Sequence, residues 1–527
     1  MKRFLSKYWK TGLTLALGLA VFFFWWSCYP FALTYQEQFQ LFLFDSGYLW
    51  ERLSEPGGVA RYIAEFLVQF YNGVAIGAAI LAVLFMLLQR LTWRLMRPVG
   101  DGWYALSFLP VLLLWYAMGD ENVMLTYHVA LIMVMAAALG WRALARSHQA
   151  VRWAVLAVAM PLLYWLAGPL CIMAGLLMAP APMALAAVVY ATALILGSAW
   201  ILPYPMLRLV CGMGYYRFPV TLPYLLMAIP VLIALLSYAG RIRNSLASRI
   251  SVDGSRQRLL SVGGCMAVAV VGCLLVPSGY EVRKYELIEY DYLVRISNWK
   301  GIVAKAEQKT PDLPFSVAAN NLALAMNNQL GERALDFYQH GSEGLVPEFS
   351  RNYLMGLLAG EIYFRLGLVN TAQRFAFEAM ESLPNYAKSG RVVKRLAETN
   401  LVNGEYAVAR KYLQMLEKTV FYRPWAQRTT ALLGNEEAIN RHPLYGTLRQ
   451  FRLGDDFLFS EQEIDKICGQ LFMHNHQNAM AMQYLVMSPL LDGDAERFLA
   501  YIGYVQSEVN YNPRYVREAI AKIRRVR

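Results

Sequence analysis

Three stretches of this sequence bring together residue types that can do chemistry. The first reads Tyr35-Gln36-Glu37-Gln38-Phe39-Gln40-Leu41 and runs through Asp45 to Pro56-Gly57-Gly58. Glu37 is a carboxylate set among amides and can take up a proton, while Gln36, Gln38 and Asp45 can hold a polar substrate. The second stretch is the tight Gly119-Asp120-Glu121-Asn122. Its adjacent carboxylates can share a metal ion or hold a sugar hydroxyl, or they can act as turn residues that satisfy helix ends. The third, Pro203 to Pro219, carries Arg208 and Gly214-Tyr215-Tyr216-Arg217. A guanidinium grips phosphate oxygens through paired hydrogen bonds; it can also pair with an acidic loop or a lipid headgroup.

Whatever positions these loops is mostly apolar. Hydrophobic residues make up 57% of the 527, above the roughly 45–50% of a soluble protein, and the excess lies before about residue 278. A helix needs about 20 apolar residues to cross roughly 30 Å of hydrocarbon. Such runs occur near 11–29, 72–90, 103–118, 124–141, 152–167, 182–202, 220–239 and 258–277. A shorter run between Pro169 and Ala179 is read as a short ninth span or a re-entrant piece. The first run follows Lys2, Arg3, Lys7 and Lys10 but holds Phe-Phe-Phe-Trp-Trp and no small-x-small cleavage site, so it reads as a retained span.

Loop charges orient the spans. With the N-terminus cytoplasmic and nine spans, Lys2, Lys7, Arg90, Arg94, Arg97, Arg142, Arg146, Arg152, Arg241, Arg243, Arg249, Arg256 and Arg258 all fall inside. Glu37, Asp45, Glu51, Glu55, Asp120 and Glu121 fall outside, which is the positive-inside asymmetry. Nine spans then put the C-terminal half outside, in the periplasm of a double-membraned bacterium. The formal charge of +12 is therefore topogenic, and nucleic acid is not the expected partner. Arg208 and Arg217 run against the rule on the outer side and need another reason. Between Ala60 and Phe70, Arg61, Glu65 and Gln69 recur four apart with apolar residues between them. That pattern reads as an interfacial helix with a polar face. His128 is the one ionisable side chain at depth, which argues against an ion-coupled transporter.

From about Tyr280 the apolar residues recur at helical spacing, without alternating strand-like runs. Leu366-Gly367, Ala372, Ala379 and Pro384 lay out a helix stop, a crossing of small residues and a second stop. Gly404 and Ala409 repeat the turn, Ala409 lying 37 residues after Ala372. Further copies are suggested at Leu330-Gly331 with Ala334, Asn298-Trp299 with Pro314, and Gly493-Asp494-Ala495. This resembles the tetratricopeptide repeat, a helix pair of about 34 residues, and implies a solenoid whose concave face binds a protein or glycan partner. The six cysteines show no CxxC or Cys/His ligand spacing, and His474 and His476 lack a third ligand nearby, so no metal site is expected.

The layout as a whole resembles the C-type membrane glycosyltransferases, which use polyprenyl-phosphate sugars. On that resemblance Glu37 takes the catalytic acid/base position, or Asp45 in its place, since those enzymes often carry a doubled aspartate there. Asp120 and Glu121 take the second acidic position, and Arg208 or Arg217 the phosphate clamp beside Tyr216. Some members also carry tetratricopeptide repeats on the side of their active site. The chain resembles more closely a bacterial family of multi-pass proteins sharing the Tyr-Gln-Glu-Gln-Phe-Gln first loop and a helical-repeat tail, for which no activity is implied. The expectation is an all-α chain. Residues 1–278 form a polytopic membrane domain with an outer loop and interfacial helix at about 30–70, and residues 279–527 a periplasmic tetratricopeptide-like domain. Two functions fit: a transferase whose repeats present the acceptor, or a non-catalytic scaffold for envelope assembly. No cofactor is named by the sequence.

Overall fold

In the computed structural model the described residues are 2–96, 101–143, 148–178, 181–218, 223–247, 254–348, 350, 352–384, 387–454 and 463–526. Arg97, Arg146, Arg249 and the end of the short run at Ala179 lie outside them. Among the described residues the secondary structure is helical, with isolated bridges only at Val123–Tyr216 and His340–Ser342. The chain divides into two compact units. One holds Met1–Glu37 and Phe44–Val282; the other holds Gln38–Leu43 and Arg283–Arg527.

The first unit contains α1 (Lys2–Phe23), α2 (Pro30–Glu37), α3 (Ser46–Leu53), α4 (Gly58–Val68), α5 (Val74–Met96), α6 (Leu109–Ala117) and α7 (Leu125–Ala143). It continues through α8 (Gln149–Ala167), α9 (Cys171–Met178), α10 (Ala181–Ser198), α11 (Met206–Cys211), α12 (Tyr224–Ala247) and α13 (Gly254–Ser278). Among the described residues, four helical stretches are long and apolar enough to cross a membrane: Tyr8–Cys28, Val74–Met96, Gln149–Met178 and Ser261–Ser278. Shorter apolar helical stretches are Trp103–Ala117, Leu125–Trp141, Met183–Ser198 and Tyr224–Gly240.

Several polar groups buried among these helices find partners, as an apolar surrounding favours. The Thr14 hydroxyl donates to Gln89 Oε1 at 2.9 Å, tying α1 to α5, and Gln89 Nε2 donates to Ser107 Oγ at 2.7 Å, tying α5 to the turn before α6. Arg90 also reaches Thr11, so residue numbers rise on one helix as they fall on the other, and the pair is antiparallel. The stretch Gln149–Met178 is not one straight rod. Gly168 takes a positive φ of 77°, ending α8. Tyr190 donates to the Ala157 carbonyl and Tyr164 meets Ser198, so α8 and α10 run parallel. The short α9 between them runs back against α10, where a Cβ on Gly175 would stand 3.0 Å from that of Ala187.

The second unit is built from helix pairs. Its helices are α14 (Val282–Arg295), α15 (Trp299–Gln308), α16 (Pro314–Met326), α17 (Leu330–Arg333), α18 (Tyr353–Leu366), α19 (Val369–Glu381), α20 (Gly390–Asn403) and α21 (Tyr406–Glu417). They continue with α22 (Arg423–Thr430), α23 (Glu436–Arg441), α24 (Tyr445–Phe451), α25 (Ile464–His474), α26 (Ala479–Asp492), α27 (Ala495–Glu508) and α28 (Arg514–Val526). The turns after α18, α20 and α26 share one geometry. Gly367, Gly404 and Gly493 sit at φ +95°, +84° and +75°. The next amide then bonds back five residues: Leu368 to Tyr363, Glu405 to Asn400 and Asp494 to Pro489. Glycine occupies this left-handed position without steric cost, which is why the motif was legible. Small residues do face the partner helix, for a Cβ on Gly356 would lie 3.3 Å from Ala379.

Two further turns of this kind differ from expectation. The turn after α16 falls at Asn328 (φ +56°), not at Leu330-Gly331. Gly331 lies instead against Pro513 and Tyr511. The turn after α14 uses Ser297 (φ +53°), and Pro314 opens α16 where a helix stop had been expected. Proline at a first helical turn loses nothing, because the amide there has no partner in the helix anyway.

Candidate functional site

The second and third loops of the first unit lie edge to edge. Arg217 N–H bonds the Asn122 carbonyl at 2.7 Å and Met124 N–H the Tyr215 carbonyl at 3.0 Å. That pairing sets Tyr216 beside Asp120, and its hydroxyl donates to Asp120 Oδ2 at 2.7 Å. Asp120 Oδ1 accepts from the Asn122 amide at 3.0 Å and from Asn122 Nδ2 at 2.8 Å. Asn122 Nδ2 also lies 3.2 Å from Glu121 Oε1. Asp120 therefore fastens its own turn and the loop opposite. Gly119 allows the close passage, since a Cβ there would fall 2.1 Å from the Gly279 carbonyl oxygen. Burial and the Asp120 carboxylate both push the Tyr216 phenol above its ordinary range.

The first loop meets the third through Arg217. This guanidinium is buried, lies over the Phe218 ring and reaches the Tyr35 hydroxyl at 3.4 Å. Tyr35, Gln36 and Glu37 form the buried last turn of α2. Arg208 is half-buried in α11, and its side chain makes no ion pair among the described residues. Asp45 sits at the entrance of α3, where its carbonyl accepts the Leu49 amide at 3.1 Å. The Tyr216–Asp120 and Arg217–Tyr35 contacts thus join residues of all three loops.

After Glu37 the chain leaves the first unit for six residues. Gln38–Leu43 form a strap that belongs to the repeat unit. Leu41 donates its amide to the Lys388 carbonyl at 3.0 Å and packs in a core with Val393, Ala397, Leu413, Leu416 and Ala426. Phe39 lies 4.9 Å from the Tyr353 ring. Gln38 Oε1 accepts from Arg391 at 3.2 Å and from Tyr353 at 3.4 Å. Gln38 therefore supports a side chain of the repeat unit, whereas Gln36 and Glu37 remain in the first.

The charged face of α4 turns inward, contrary to the interfacial reading. Arg61, Glu65 and Gln69 are all buried, while Trp50 on α3 and Ile63 on α4 are exposed. Periodicity reports that a helix has a polar face, not what that face meets. Here it meets other charges. Glu65 accepts from Arg52 Nε at 2.7 Å, from Arg61 Nε at 2.9 Å and from the Tyr48 hydroxyl. Arg61 also pairs with Glu55 at 2.6 Å, and Arg52 with Glu51 at 2.8 Å. Burial alone would raise the Glu65 carboxyl, yet the Arg61 and Arg52 guanidiniums outweigh it and hold it below its usual range. The charges crowded between Glu51 and Glu65, with apolar residues among them, were the available signal for this network.

These features define an all-helical protein with apolar helices long enough to cross a membrane, three of whose loops are knit by polar contacts. The chain belongs to the family of unknown function DUF6057, which matches residues 7–525. Comparison with curated proteins and with solved structures finds no match.

Proposed function

We propose that this chain is a scaffold of the bacterial inner membrane. About nine spans with a cytoplasmic N-terminus hold a periplasmic repeat domain of tetratricopeptide type, which recruits envelope proteins without catalysing a reaction itself. The observation that carries this reading is the strap. Gln38–Leu43 come from the loop that follows the first span, yet Leu41 is part of the repeat unit's core. A loop after the first span lies across the bilayer from the N-terminus, so the unit that encloses it lies there too. An odd number of crossings then precedes α14. This supports nine spans, with the counter-running α9 as the short one, and agrees with the loop charges. Irregular or short helical pieces are tolerated at membrane depth where protein surrounds them, and α9 is largely buried.

The fate of one candidate carboxylate points the same way. Asp120 is spent on its own turn and on Tyr216. One observation favours the transferase reading instead. The Arg217–Tyr35 and Tyr216–Asp120 contacts bring all three loops together, as a site with Glu37 as base and Arg217 as phosphate clamp on a polyprenyl-phosphate sugar would need.

Lipid-linked sugars should be compared in membranes from cells carrying wild type, a deletion, Glu37→Gln or Leu41→Asp. The scaffold predicts unchanged pools for Glu37→Gln, and recovery of envelope partners that Leu41→Asp abolishes. Accumulation of a polyprenyl-linked sugar in both the deletion and Glu37→Gln would overturn it in favour of the transferase.

A further inference from the structure

The repeat unit contains a cavity of about 240 Å³ whose wall is strongly cationic. Arg295, Arg365, Arg391, Lys394 and Arg395 line it, against the carboxylates of Glu361 and Glu398. Asp291, outside the lining, pairs with Arg391 at 2.8 Å. We propose that this cavity binds a doubly charged phosphate group, whether or not the chain is a scaffold.

The hydrogen bonds show which donors remain for a ligand. Every bond Arg391 makes among the described residues falls on Nη1: two to Asp291 at 2.8 and 2.9 Å and one to Gln38 at 3.2 Å. Its Nε and Nη2 are unspent. Arg365 uses Nε on Glu361 at 2.8 Å and Nη2 on Ser297 at 3.2 Å, which leaves Nη1. Arg395 uses Nη2 on Glu361, and its buried Nη1 makes no hydrogen bond, the nearest carboxylate oxygen being Glu398 Oε2 at 3.4 Å. Lys394 Nζ stands 3.9 Å from Glu398, too far for a hydrogen bond, and rests over the Trp425 ring at 4.9 Å.

A buried guanidinium nitrogen that makes no hydrogen bond is costly, and its ion pair with Glu398 offsets that cost only in part. The site is also held ready. The Arg395 guanidinium is 3.6 Å from the Phe364 ring centroid, and Arg391 is pinned by Asp291 with Gln38 beside it. The donors come from two helices, Arg365 from α18 and Arg391, Lys394 and Arg395 from α20. A tetrahedral phosphate offers three terminal oxygens in different directions, whereas a planar carboxylate offers its lone pairs in one plane. The Gln38 of the first loop thus gains a role as a positioning residue for the cavity.

The test is calorimetric titration of the full-length chain in detergent, at constant ionic strength, with inorganic phosphate, a sugar 1-phosphate and a short-chain phosphatidic acid. Saturable binding of phosphate is expected, weakened about tenfold by Lys394→Gln, the loss of one charge-assisted contact. Arg365→Gln should weaken it comparably. Lys394 is partly exposed, so its variant should keep the wild-type unfolding midpoint without ligand and serves as the control for folding. Tighter binding of the sugar phosphate would identify a soluble phosphorylated ligand, and tighter binding of phosphatidic acid a lipid headgroup; both uphold the site. Absence of saturable binding at millimolar phosphate, or equal affinity in wild type and both variants, would overturn it.

Discussion

Two clusters of buried charge in this protein look alike in kind and differ in arithmetic. Around Glu65 in the first unit, Arg52 and Arg61 face the carboxylates of Glu51, Glu55 and Glu65. Around Glu361 in the repeat unit, five cations line a cavity with two glutamates. Carboxyls in both clusters are driven below their ordinary range by arginines that outweigh burial, Glu361 to about 2. The direction of a pKa shift therefore does not separate a strut from a binding site. The balance of donors and acceptors does. The first cluster closes on itself, with each guanidinium paired to two carboxylates. The second leaves nitrogen donors of Arg365 and Arg391 without hydrogen bonds among the described residues, and both side chains line a cavity.

The largest expected effect tests the closed cluster. Glu65→Gln removes the carboxylate that Arg52 and Arg61 share in a buried site, and removing one partner of such a network costs about 3–5 kcal/mol. Chemical unfolding in detergent, followed by tryptophan fluorescence, would show it as a lower midpoint. A shift below about 1 kcal/mol would mean that the network is not closed, and the contrast between the clusters would fail.

The next effect concerns acid. Glu361 has a depressed carboxyl, so its contribution is present above the ordinary carboxylate value and is lost as the pH falls from about 4.5 toward about 2. The span corresponds to about 3 kcal/mol. Glu361→Gln should remove that share of the acid sensitivity of α18 and α20, read by hydrogen exchange of their amides between pH 5 and pH 2. Identical acid profiles for the variant and the wild type would show that Arg365 and Arg395 do not hold the Glu361 carboxyl as the geometry implies.

What the sequence disclosed follows from how local each signal is. Gly367, Gly404 and Gly493 announced their turns because only a residue at the turn decides whether the left-handed backbone is easy. Ser297 and Asn328 adopt the same conformation without announcing it, since their preference for it is weaker. The helical character of both halves was legible from periodicity. The burial of Arg61 and Glu65 was not, because their partners Arg52 and Glu55 stand on another helix and on the turn between. Of the candidate loop residues, Asp120 was legible as a turn former. Its bond to Tyr216, 96 residues on, was beyond any local pattern. The strap was the least legible feature. Leu41 bonds to Lys388, and no spacing within Tyr35–Leu41 encodes a contact so remote. The cationic cavity likewise draws Arg295, Arg365 and Arg391 from helices that are not neighbours in the chain.

The smallest expected effect separates the clusters most sharply, because its size depends on ligand. Lys394 stands three residues from Arg391 on one helix face, where like charges repel weakly, and 3.9 Å from Glu398, where it gains a weak attraction. These nearly cancel, so Lys394→Gln without phosphate should change stability by less than about 0.5 kcal/mol. With phosphate at ten times its dissociation constant, the wild type should gain about 1.4 kcal/mol, and a variant that binds tenfold more weakly about 0.4 kcal/mol. The gap of about 1 kcal/mol should open only as phosphate is added and should be absent from matched chloride titrations. Equal loss with and without phosphate would make Lys394 a strut like Glu65, and the surplus of charge around the cavity would then be structural rather than a place held for an anion.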